Sequence, residues 1–116
     1  MPKSSIVIDV ELNEQRIAQN IEWSATESTA ENRQNAKAMI LSLWDGAEKS
    51  ALRIDLWTEK MMVDEMADFY YQTLFTMADA YERATHQTEL VNDMREFARS
   101  FYEKFQQLQM KENKAG

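Results

Sequence analysis

Apolar and polar residues alternate from the start of the chain. Ile6, Ile8, Val10 and Leu12 take every second position, with Ser5, Val7, Asp9 and Glu11 between them. That is the period of a strand covered on one face. A polar turn follows around residues 13–15. Ile21, Trp23 and Ala25 then alternate with Asn20, Glu22 and Ser24, which predicts a second, shorter strand. TESTAENRQN, residues 26–35, has no apolar period and reads as a connection.

Two further strands are predicted around a loop. Met39, Leu41 and Leu43 share one face of the first, and Leu52, Ile54 and Leu56 share one face of the second. A slip of one residue would turn either apolar set to the wrong side, so the pattern dictates the register: Leu43 opposite Leu52, Leu41 opposite Ile54, Met39 opposite Leu56. DGAEKS, residues 45–50, is the loop, and Gly46 is the residue expected to supply a positive φ. The same register turns Ile40, Ser42 and Trp44 the other way, beside Arg53, Asp55 and Trp57. This second side, with Val7, is either covered by the chain's own N-terminal residues, connection or tail, or it is a partner surface. Ile40, Trp44, Arg53 and Trp57 are its candidate interface residues.

From Thr58 the period becomes helical. Thr58 is the expected cap, with Glu59 in the first turn. A stripe of Met62, Val63, Met66, Phe69, Tyr70, Thr73, Leu74, Met77, Tyr81 and Ala84 predicts one wide buried face. Tyr71 and Phe75 fall outside it among acids, so they either touch a neighbouring helix or stand as exposed anchors, a secondary candidate interface. After THQT, Thr88 is the expected cap of a second helix whose stripe is Leu90, Met94, Phe97, Ala98, Phe101, Phe105 and Leu108. Asp93, Arg95, Glu96, Arg99 and Glu103 make the opposite, solvated face, with Arg99 and Glu103 spaced to pair across one turn.

These elements predict an α+β fold: an antiparallel sheet of about four strands, covered on one face by two antiparallel C-terminal helices. The length of 116 residues and 44% hydrophobic content suit a single domain spanning 1–116, with a frayed tail from about 111. Methionines on the helical stripe read as adaptable core fillers.

Charge and candidate chemistry narrow the function. The net charge is -7, with acids in excess in both halves and no basic stripe, which disfavours nucleic acid and anionic membrane surfaces. With no cysteine, there is no disulfide framework, thiolate metal site or cysteine nucleophile. The N-terminal alternation lacks the apolar run of a signal peptide, and no segment approaches the roughly 20 apolar residues of a membrane span. A soluble cytoplasmic protein without membrane insertion is expected. Asp64 and Asp68 share a helix face, but two carboxylates fall short of the oxygens that calcium requires. Glu82 and His86 share another, yet zinc helices carry a second histidine and a third ligand. No serine sits in a nucleophile elbow. The expectation is a non-enzyme with no cofactor and no metal.

LSLWDGAEKSALRIDLWTEKMMVDEM, followed by FYYQTLFTMADAYERAT, closely resembles the gliding motility protein GldC family, and the N-terminal strand and REFARSFYEKF extend the likeness over nearly the whole chain. The resemblance implies an accessory role in gliding motility, in cells where that machinery is linked to type IX secretion. It carries no catalytic residue or cofactor with it. The implied function is an acidic adaptor for protein partners of the gliding apparatus. The alternative is a small acidic secretion-chaperone-like binding module, by analogy of size and charge. The pattern also allows a symmetric homodimer, through the bare sheet face or through Tyr71 and Phe75.

Overall fold

A computed structural model describes residues 2–26 and 32–115, so residues 27–31 of the expected connection lie outside the described residues. Strands come first and helices after: β1 (Ile6–Leu12), β2 (Ala18–Ala25), β3 (Gln34–Ala36), β4 (Ala38–Asp45), β5 (Ser50–Trp57), α1 (Val63–Thr85) and α2 (Thr88–Ala115). The class is α+β. The chain divides into two compact units, residues 1–61 and residues 62–116.

The β unit holds two antiparallel sheets, β1-β2-β3 and β4-β5, where the sequence predicts one sheet of about four strands. The difference arises at Lys37. β3 and β4 are separated by a bend there, and β3 pairs with β2 while β4 pairs with β5. The Lys37 carbonyl accepts from both the backbone N–H of Thr58 at 2.8 Å and its Oγ1 at 2.9 Å. Thr58, only 2% exposed, is therefore a clamp at the end of β5 and not the predicted helix cap. β3 itself escapes sequence reading because Gln34, Asn35 and Ala36 have no apolar period; backbone pairing opposite Trp23, Glu22 and Ile21 makes them a strand.

β1 and β2 pair from Ile6 opposite Ala25 to Leu12 opposite Ala18, with a register shift between Glu11 and Leu12. Ile21, 1% exposed, is the buried residue of this sheet. At the turn, Asn13 Oδ1 accepts from the N–H groups of Gln15 and Ile17 at 2.9 and 3.0 Å, and Arg16 closes it in the left-handed region at φ 64°. Asp9 lies directly opposite Glu22, a like-charge pair that costs stability by itself. Arg33 relieves it by donating to both carboxylates, 2.9 Å to Glu22. The hydrogen bond to Glu22 comes first, then that to Asp9, in raising the guanidinium pKa above its already high usual value.

β4 and β5 adopt the predicted register, with Leu43 opposite Leu52, Leu41 opposite Ile54 and Met39 opposite Leu56. Their loop differs in one respect. No described glycine has a positive φ; Lys49 takes the left-handed conformation at φ 54°. Asp45 Oδ1 accepts from Ala47 and Glu48, and the Asp45 carbonyl from Lys49, so the left-handed residue falls last in the turn. Gly46 is a tolerated residue there, not a required one.

The helical unit opens at Met62, whose N–H donates to Glu65 Oε1 at 3.2 Å; the helix starts four residues later than the Thr58 cap predicts. It ends at His86, left-handed at φ 56°, whose N–H reaches the Glu82 carbonyl at 2.9 Å. The first bond of α2 runs from Val91 to the carbonyl of Gln87, so Gln87 caps it and Thr88 stands one place inside. The helices are antiparallel, as Tyr71 meets Tyr102 near one end of the pair and Asp79 meets Arg95 near the other. Ala78, Val91 and Ala98 are fully buried, and Ala67 nearly so. Their small side chains allow close approach along a line that helical spacing continues through Tyr71 and Phe75. The buried line is therefore not the methionine stripe, whose Met62, Val63 and Met77 are exposed at 61%, 78% and 52%.

Candidate interaction surface

The β4-β5 hairpin presents the candidate residues. Because residues directly opposite share a face, one side carries four rows: Trp44 with Ala51, Ser42 with Arg53, Ile40 with Asp55, and Ala38 with Trp57. Trp44 is 69% exposed and Trp57 60%, so neither indole is sealed by the chain. Ile40 is half-buried and Arg53 exposed. The rows place the indoles at opposite ends of the hairpin, about 20 Å apart along the strands at roughly 3.3 Å per residue. They do not form one aromatic cluster. Between them Arg53 Nη2 donates to Asp55 Oδ2 at 2.9 Å, an ion pair between neighbours on one strand.

The other side of the hairpin is more apolar. Leu43, Leu52 and Ile54 are 58%, 57% and 53% exposed, although alternation assigns them to the core. Sequence reasoning missed them as surface residues. The available signal was that both faces of this hairpin are apolar, which two strands alone cannot bury.

In the helical unit, the secondary candidates are engaged by α2. Tyr71 stacks on Tyr102 with ring centroids 4.7 Å apart, and Phe75 lies beneath Arg99 and Arg95 at 5.4 and 5.9 Å. Both rings are half-buried. Arg99 is exposed, as its place in the solvated set predicts, and lies over Phe75. Arg95, assigned to the same set, donates to Asp79 at 2.7 Å and to Glu82 at 3.4 Å. These bonds, Asp79 first, raise its pKa further. The Tyr102 phenol is likewise held above its ordinary value, chiefly by its hydrogen bond to Asp68. Of the carboxylates weighed as metal ligands, Glu82 pairs with Arg95 and Asp64 accepts from the backbone N–H of Glu65. Among the described residues no three His, Asp or Glu side chains gather to hold a metal ion. An apolar groove of about 320 Å³ follows α2 along Phe97, Phe101, Phe105 and Leu108, beside Ser100 and Lys104.

What these features define is a small α+β protein with exposed apolar and aromatic surface. The model of the GldC-like family, described as gliding motility-associated, matches residues 18–107, from the start of β2 through most of α2. The chain belongs to this family, and so is associated with gliding motility. No significant match was found among curated proteins or among solved structures. Among the described residues, no helix is long and apolar enough to cross a membrane.

Proposed function

We propose that the chain is a non-enzymatic adaptor of the gliding apparatus, a cytoplasmic protein that holds a protein partner of the gliding and type IX secretion machinery on its β4-β5 hairpin. The observation that carries this reading is the exposure of Trp44 and Trp57 at the two ends of one hairpin face. Tryptophan and arginine are the residues that most often anchor protein interfaces, and Arg53 stands between the two indoles. Asp79 and Glu82 are used in ion pairs within the helical unit, which supports a binding role over a catalytic one. The test replaces the chromosomal copy with Trp44→Ser/Trp57→Ser. Loss of colony spreading at normal protein level, with an unchanged circular dichroism spectrum, is expected; full spreading would overturn the reading.

A second reading, a small acidic chaperone-like module for an extended export segment, draws support from the opposite, apolar side of the hairpin. It predicts that substoichiometric chain suppresses aggregation of an unfolded apolar polypeptide, and that Leu52→Ser/Ile54→Ser removes the effect. No suppression at a twofold excess of chain would dispose of it.

A further inference from the structure

β5 is an outermost strand with few of the usual guards, and its two charges, Arg53 and Asp55, are of opposite sign. Among the described residues it is hydrogen-bonded to β4 on one side only, in a two-stranded sheet. Its eight residues, SALRIDLW, contain no proline and no lysine, and its pairing with β4 runs without a register shift. A lone two-stranded hairpin is also of marginal stability in water, and further strands relieve this.

We propose that two copies of the chain associate through the open edge of β5, pairing antiparallel about a two-fold axis at Ile54, so that two hairpins become one four-stranded sheet. The order of side chains along β5 selects both the occupant and the register. With Ile54 opposite itself, Arg53 of each copy faces Asp55 of the other, giving two opposite-charge pairs. Leu52 faces Leu56, again twice, on the apolar side. Ala51 faces Trp57, small against large. Moving the axis by one residue destroys the match: centred on Arg53 it sets two guanidinium groups against each other, and centred on Asp55 two carboxylates. Registers that break the alternation put apolar residues on the wrong face.

Arg53 and Asp55 already pair within one strand at 2.9 Å, both still substantially exposed. Exchanging these partners for the same groups of a second copy keeps every charge paired while the backbone edge gains its hydrogen bonds. The far end of the strand has room for the newcomer. Asp55, Leu56 and Trp57 share an open groove of about 250 Å³ with Leu12, Arg16 and Ala18, and the proposed register delivers Ser50 and Ala51, the smallest side chains of β5, to that end. A two-fold contact of this kind is self-complementary and closes, so it produces dimers and not chains. It also leaves both faces of the hairpin open, and stands apart from the gliding reading.

The experiment measures the mass of the purified full chain by sedimentation equilibrium over a range of concentrations. The wild type is expected at twice 13.6 kDa. Arg53→Asp and Asp55→Arg each place two like-charge pairs across the axis and should weaken the dimer at least about tenfold, with circular dichroism unchanged. Two recoveries follow from the register. The double variant Arg53→Asp/Asp55→Arg restores the pairs with reversed polarity, and an equimolar mixture of the two single variants forms a heterodimer that neither forms with itself. A wild type at monomer mass throughout overturns the proposal, including the case in which a partner's strand occupies the edge instead. Single variants that dimerise as tightly as wild type, or a mixture that stays monomeric, overturn it as well.

Discussion

β1 and β5 are both strands at the end of a sheet, of seven and eight residues, both alternating and both carrying exposed apolar side chains. Their edges differ in the order of their charges. β1 carries Asp9 and Glu11 and no cation, so no register of β1 against a second β1 creates an opposite-charge pair, and the register centred on Val10 sets Asp9 against Glu11 twice. The shift between Glu11 and Leu12 disturbs that edge further. β5 carries one cation and one anion two residues apart, on the same face and symmetrical about Ile54. In the proposed register it is therefore the order of signs along the strand, and not charge content alone, that separates the two edges.

The sharpest way to break the comparison is Ile54→Lys. It puts two ammonium groups at the two-fold axis and removes an apolar contact from each copy, so the dimer should weaken roughly a hundredfold in sedimentation. The converse uses the absence of native cysteine. Residues directly opposite in an antiparallel pair have Cα atoms about 4.5–5.5 Å apart, within disulfide reach. Ile54→Cys should give a covalent dimer on mild oxidation, whereas Val7→Cys on β1 should not; equal cross-linking of both would erase the distinction.

A smaller effect is expected from making β1 resemble β5. With Glu11→Arg, Asp9 faces the introduced guanidinium of a second copy about Val10, which should add a concentration-dependent species larger than the dimer, visible by light scattering. Arg33→Ala removes the cation that bridges Asp9 and Glu22 on the guarded sheet. The groups are partly exposed, so the expected result is a small fall in urea midpoint that shrinks at high salt and is recovered by adding Glu22→Gln. The smallest change concerns the turn that aligns β5 with β4. Lys49→Gly relieves a left-handed backbone and should stabilise the chain by about 0.5–1 kcal/mol in urea unfolding, while Gly46→Ala, with nothing within 4 Å of the added methyl, should cost nothing.

Much of the β unit was legible because its signal is local. Alternation fixes the parity of the β4-β5 register, keeping Met39, Leu41 and Leu43 on the side of Leu52, Ile54 and Leu56, and the loop at residues 45–50 selects the pairing within that parity. The candidate residues Ile40, Trp44, Arg53 and Trp57 share the predicted face for the same reason. What alternation cannot tell is which face is covered, and the face assigned to the core leaves Leu43, Leu52 and Ile54 open. The helix pair shows the same limit. In the first helix hydrophobicity pointed to the methionines, whereas the buried positions are Ala67 and Ala78, whose small side chains permit close helix approach.

The sequence by itself determined the order of every element except β3, the α+β class, the hairpin register and the self-complementary charge order of β5, because each is a property of residues within one or two turns or strands. Only the tertiary structure decided that residues 34–36 form a strand on β2, that a bend at Lys37 separates the two sheets, that Thr58 clamps that bend, and that Arg95 reaches Asp79 and Glu82 while Arg99 lies over Phe75. Those outcomes depend on which partners meet across long stretches of chain. A pattern of polar and apolar positions specifies a face, but the competition among possible neighbours for that face is settled by packing and by the satisfaction of buried polar groups.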